Sequence, residues 1–201
     1  MANPAVEAAL QSALANQQYD SVAPVLDAAE LESSNPDVLN QWPHALHLLG
    51  HMYNQQLEDA RFLWKRLPVD VKRVGRQPRV DAVWRLLQYY WNQHYQGIWQ
   101  ALQGYQWSPQ VRPFIDALVA KTRSDMLQLL SEGYSMLSPA KAASLLGVGE
   151  GDVAHLVEPA GWEQDMESGM YNTAVQQTAD VDLEGYENLR QLAQYMVHLE
   201  S

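Results

Sequence analysis

The sequence predicts a mostly α fold in four parts. A helical-repeat array covers residues 1–133, a small α+β unit 134–176, a linker 177–182, and a separate helix 183–201. Three observations predict it. Apolar residues recur at three- and four-residue intervals from Val6 to Met126, the spacing of helix faces. Short polar breaks such as Asn54-Gln55-Gln56 separate successive stripes, so neighbouring helices fold back on each other. After Ser138-Pro139 the pattern changes to short helical stretches split by Gly147-Val148-Gly149, then a stretch turning at Ser168-Gly169.

Pro4 starts the first helix, with Val6, Leu10 and Leu14 inward; Asp20 or Ser21 caps the second, which carries Val22, Val25, Leu26 and Ala29. Ser33-Ser34-Asn35-Pro36 is a loop. Pro43 opens a helix with Trp42, Leu46, Leu49 and Tyr53 on one stripe. Its partner carries Leu57, Ala60, Leu63, Trp64 and Leu67 and stops at Pro68. Leu49-Gly50-His51-Met52-Tyr53 is similar to the Leu-Gly-x-x-Tyr core of a tetratricopeptide repeat, where glycine admits the neighbouring helix closely; no strict period follows. A third pair, about 78–92 and 95–104, is packed by Trp84, Leu87, Trp91, Ile98, Trp99 and Leu102. Six of the seven tryptophans lie between 42 and 107, and at helical spacing they are expected to pack between helices rather than line a ligand groove.

Ser108-Pro109 is expected to cap and start a long helix with Val111, Phe114, Ile115, Leu118, Val119 and Met126 inward, with one possible break before Tyr134. A short helix from Ala140 to Leu146, the glycine turn, a second from Glu150 to about Pro159, and a hairpin opening at Gly161-Trp162 and returning through Met170–Val175 make a winged helix. Leu183, Tyr186, Leu189, Leu192, Ala193, Met196, Val197 and Leu199 give the closing helix a broad apolar face, with Leu189, Leu192, Met196 and Leu199 its bundle positions.

The chain is 201 residues long and 47% apolar, enough for a substantial core. No apolar run approaches the ~20 residues of a membrane span, and a soluble chain of cytoplasm and nucleus is expected. Without cysteine there is no disulfide, thiolate metal site or thioester chemistry. The net charge of −11 is segregated: −8 over residues 1–60, +6 over 61–85 and −9 over 86–201. Arg61, Lys65 and Arg66 flank the apolar stripe of their helix and form a cationic band, which either meets an acidic partner or is a solvated face. The helix-turn-helix element invites a nucleic-acid function, but residues 124–189 hold one base, Lys141, against twelve acids, which excludes ordinary phosphate binding. The hairpin's outer strand, assigned to Met170, Tyr171, Asn172, Thr173, Ala174 and Val175, is instead expected to dock protein.

His44, His47 and His51 share a helix face, and His47-x-x-x-His51 has the spacing of a zinc pair. No glutamate follows His47 in the metalloprotease pattern, and no cysteine or obvious nearby carboxylate completes a site. A packing seam is the expected role, a metal-dependent enzyme the alternative. Gly147-Val148-Gly149-Glu150-Gly151 follows a helix rather than a strand and lacks a Gly-Lys-Ser/Thr ending, so it is a turn and not a phosphate cradle. No catalytic residue and no cofactor is predicted.

Four stretches carry a family resemblance: Ala60-Arg61-Phe62-Leu63-Trp64-Lys65-Arg66-Leu67-Pro68, the segment Trp42 to Gly50, Gly104-Tyr105-Gln106-Trp107-Ser108, and the ending Tyr195 to Glu200. In order and spacing they resemble the subunit-eight family of the COP-nine signalosome from about residue 40 onward, a family sharing its PCI domain with a proteasome-lid subunit and a small subunit of translation initiation factor three. Residues 1–40 match only in helical character. The resemblance implies a non-catalytic scaffold in a hetero-oligomer that removes a ubiquitin-like modifier from cullins. It also implies contacts with other PCI subunits through the winged-helix edge and the terminal helix. The isopeptidase of that complex uses His-x-His in another subunit, and none of the six histidines here forms that motif.

Overall fold

The computed structural model describes residues 4–32, 42–72, 77–166 and 168–173. The predicted Ser33–Pro36 loop, Ala174 and Val175, the linker and the terminal helix with Leu189, Leu192, Met196 and Leu199 lie outside these residues.

Three helix hairpins build the first half of the chain. Helices α1 (Pro4–Ala15) and α2 (Val22–Glu32) are joined through a 3-10 turn at Tyr19–Ser21; α3 (His44–Tyr53) pairs with α4 (Leu57–Arg66); after a short α5 (Val69–Lys72), α6 (Pro78–Trp91) pairs with α7 (Tyr95–Gly104). The first helices of the hairpins end at residues 15, 53 and 91, a constant spacing of 38. Each hairpin turns through Asn-Gln-Gln or Asn-Gln-His, and the middle glutamines, Gln17, Gln55 and Gln93, are left-handed at φ 57, 59 and 53°. At each turn the next residue's N–H (Gln18, Gln56, His94) donates back to a carbonyl (Ala13, His51, Tyr89) at 2.9 Å. That closure satisfies helix-end carbonyls and offsets the left-handed cost of about 1 kcal/mol for a side-chain-bearing residue. The array therefore has a period that the apolar pattern alone did not reveal.

The hairpins meet over one core containing Val22, Leu26, Leu48, Leu49, Ala60, Leu63, Leu86, Leu87, Ile98 and Leu102. Gly50 lets α3 approach α2: a Cβ there would lie 3.0 Å from the Ala23 backbone nitrogen. Helix α8 (Arg112–Gly133) closes the core with Phe114, Ile115 and Leu118, then enters a second core with Met126 and Leu130. It begins after Pro109, not at it: Ser108–Val111 is a turn in which the N–H groups of Val111 and Arg112 both donate to the Ser108 carbonyl. Pro113, in the first turn of α8, occupies a place where a missing N–H costs nothing, and the helix runs unbroken to Gly133.

The second core joins Leu137, Ala142, Leu146, Val153, Val157, Trp162 and Tyr171. Strand β1 (Met136–Leu137) leads to α9 (Pro139–Leu146) and α10 (Glu150–Val157), then β2 (Glu163–Gln164) and β3 (Tyr171–Asn172). Ser138 caps α9 through its hydroxyl, and Gly147 ends it at φ 65°. A Cβ on Gly147 would lie 2.2 Å from the Trp99 ring, whose Nε1–H donates to the Leu145 carbonyl. Arg123 donates to the carbonyls of Leu146 and Gly147, so α7 and α8 together grip this turn. The sheet order is β1-β3-β2, antiparallel throughout.

Candidate interaction surfaces and a buried histidine cluster

The strand order corrects one expectation. Tyr171 and Asn172 lie in the central strand, paired with Leu137 and Met136 on one side and Gln164 and Glu163 on the other. Thr173 extends that pairing, its N–H donating to Ser135 and its hydroxyl to the Tyr134 carbonyl. Tyr171 and Asn172, with Thr173 beside them, are therefore not at an edge. Among the described residues the outer strands are β1 and β2, and β1 escaped prediction because two residues carry no readable alternation. Met136, Met166 and Met170 are exposed around this sheet.

Arg61, Lys65 and Arg66 all lie on α4, and the three do different things. The Arg66 guanidinium donates to Glu30 of α2 at 2.9 Å. Lys65 Nζ lies over the exposed Phe62 ring at 5.5 Å. Arg61 lies over Trp91 of α6 at 4.7 Å from the ring centroid. Trp91, expected in the packing seam, is 41% exposed. Trp84 stacks on Trp64 at 4.2 Å and 7°, as an inter-helix contact should.

The histidine face resolves into a pair and a carboxylate. His47 is fully buried; its ring stacks on His51 at 5.0 Å, and both approach Asp27 Oδ1, at 3.0 and 3.4 Å. The predicted seam is present, and Asp27, 20 residues away on α2, is the member the sequence could not place. Ligand atoms of Asp27, His47 and His51 lie within 4.8 Å of one another, close enough to share a cation. The hydrogen bonds argue otherwise. Trp42 Nε1–H donates to His47 Nδ1 at 3.2 Å, and an indole N–H can only donate. The neutral ring therefore carries its proton on Nε2, the atom facing Asp27 and the one a metal would need bare. A metal-bound histidine instead donates its outer N–H. Burial pushes the His47 pKa down to about 4, against the raising effect of its hydrogen bond to Asp27 and with smaller lowering from His51 and Arg66. The residues fit a neutral, hydrogen-bonded clasp between α2 and α3. His51 extends it through Nδ1, 3.2 Å from the Gln56 carboxamide.

A second polar seam joins α6 to α8: Tyr90 and Thr122 hydroxyls are 2.5 Å apart, and Thr122 donates onward to the Leu118 carbonyl. Burial raises the Tyr90 pKa to about 12, so it remains a neutral phenol. No described helix is long and apolar enough to cross a membrane.

The described residues thus define a mostly helical protein: a hairpin array closed by a small helix–sheet unit. Its family can be stated as well. The profile of the CSN8/PSMD8/EIF3K family matches residues 38–182, and the chain belongs to that family. It is similar to the COP9 signalosome complex subunit 8 of Arabidopsis thaliana, 33% identical over 95% of this chain and 97% of that one. Subunit 8 of Danio rerio is 28% identical over 77% of this chain and 80% of its own. That of Dictyostelium discoideum is 23% identical over 93% and 94%.

Proposed function

We infer that this chain is a non-catalytic assembly subunit of the COP9 signalosome, the complex that removes a ubiquitin-like modifier from cullin–RING ubiquitin ligases. The observation that carries this is near-full-length similarity to relatives named as subunit 8 of that complex, from plant to slime mould. The family profile is also named for a lid and an initiation-factor subunit, and these are the second choice.

On this reading the hairpins are a tetratricopeptide-like array and residues 134–176 a winged helix, together a PCI domain. Neighbouring PCI subunits pair with an outer strand of the sheet and with the apolar stripe Leu189, Leu192, Met196 and Leu199 in a shared bundle. The cationic band steers association toward acidic subunits. The chain works in cytoplasm and nucleus and needs neither cofactor nor nucleic acid. The metal-enzyme alternative is disfavoured because the Trp42 hydrogen bond sets the wrong His47 tautomer for ligation. Affinity purification of the tagged chain from native extract, with mass spectrometry, tests the assignment. Signalosome subunits in near-equal amounts are expected; recovery of lid or initiation-factor subunits, or of the chain alone, would overturn it.

A further inference from the structure

Beside Arg61 lies a groove of about 250 Å³ lined by Arg61, Trp84, Leu87, Gln88, Trp91 and Asn92. Leu87 is buried and gives it an apolar floor. Trp84 is held by its stack on Trp64, so that wall is rigid. Trp91 is partly exposed, with the Arg61 guanidinium over its ring. Among the described residues no carboxylate lies within ion-pair distance of Arg61, whereas Arg66 is committed to Glu30. A guanidinium stacked on an indole keeps its in-plane N–H donors free for a carboxylate. Tryptophan and arginine around a desolvated apolar floor are the residues that concentrate binding energy at protein interfaces.

We propose that this groove docks an acidic segment of a partner protein, one apolar side chain entering against Trp84, Leu87 and Trp91 while an adjacent Asp or Glu pairs with Arg61. The charge pattern selects this occupant: residues 61–85 carry +6 within a chain of −11, so an acidic segment is attracted here and repelled by the rest. A nucleic acid is disfavoured, because a single arginine at the lip cannot hold a phosphate backbone against that net charge. The inference rests on the assembly reading above and names the partner chemistry of one member of the cationic band.

The test places the photo-cross-linker p-benzoylphenylalanine at position 88 of the full chain, where the exposed Gln88 lines the groove without forming its aromatic walls. The chain is incorporated into its native complex, irradiated, and the linked peptide identified. The expected peptide belongs to another polypeptide and has Asp or Glu within about three residues of a large apolar side chain. Arg61→Glu should then weaken association about 30-fold, the size of an interface hot spot. Lysine at the partner's acidic position should restore it, while Arg112→Gln, at an exposed arginine paired with Asp116 on α8, leaves binding within about twofold. No cross-link in a complex that contains the chain, a link to another copy of the chain, a peptide without an acid, or an indifferent Arg61→Glu would each overturn the docking inference and leave the assembly reading intact. An acidic cross-linked peptide from a protein outside the complex would do the reverse.

Discussion

Replacing His47 with glutamine should flatten the pH dependence of stability. Glutamine can present an N–H toward Asp27 but cannot titrate. In the folded chain His47 has its pKa near 4, against 6.5 for an ordinary histidine. The folded value is the lower one, so as pH falls the unfolded chain takes up the proton first. The site's contribution is complete above about pH 6.5 and disappears as pH drops through 4. A separation of 2.5 pH units corresponds to about 3 kcal/mol in full, of which about 2 kcal/mol is lost between pH 7.5 and 5. The groups facing the ring are Asp27 from α2, His51 on its own helix and Arg66 from α4. Stopping at pH 5 limits interference from the carboxylate. Urea unfolding of the full chain at half-unit steps, beside His47→Gln, reads the difference. Parallel pH curves for the two proteins, or a His47 imidazole titrating near 6.5 by NMR, would refute the clasp.

Gly50→Val should destabilise by about 2 kcal/mol or more in chemical unfolding, since the new side chain meets the backbone of Ala23 rather than a movable side chain. Gly147→Ala combines a left-handed residue with a Cβ driven into the Trp99 ring; about 3 kcal/mol is expected, with Trp99 fluorescence reporting the loosened turn. Deleting residues 183–201 should leave a folded, soluble chain by circular dichroism that no longer enters the complex; unfolding of the truncated chain would make that helix an internal packing element.

Much of the fold was legible because its helices are amphipathic. The stripes through Leu46 and Leu49, Ala60 and Leu63, and Ile98 and Leu102 mark faces that are buried. The helix stop at Pro68 and the turn at Gly147 follow from backbone chemistry any sequence displays. The 38-residue period was hidden for a physical reason. It is carried by Asn-Gln-Gln and Asn-Gln-His turns, where glycine would be the recognised signal for a left-handed residue. The central place of β3 depends on a two-residue strand before α9, too short to show a pattern. At the histidine cluster, the i, i+4 spacing disclosed His47 and His51. The choice between metal and clasp required Asp27 and Trp42, which only folding brings to the two nitrogens of one ring. The groove beside Arg61 was obscured differently: Trp91 keeps the helical spacing of a packing residue, and exposure alone distinguishes it.

The most direct measurement of an assembly role is reconstitution of the signalosome from its other subunits with this chain added back, reading assembled complex and isopeptidase activity on modified cullin together. Activity should rise in proportion to assembly, and a His51→Gln variant that assembles normally should restore it in full. Normal assembly with activity lost in that variant, or full assembly and activity without this chain, would contradict a non-catalytic scaffold.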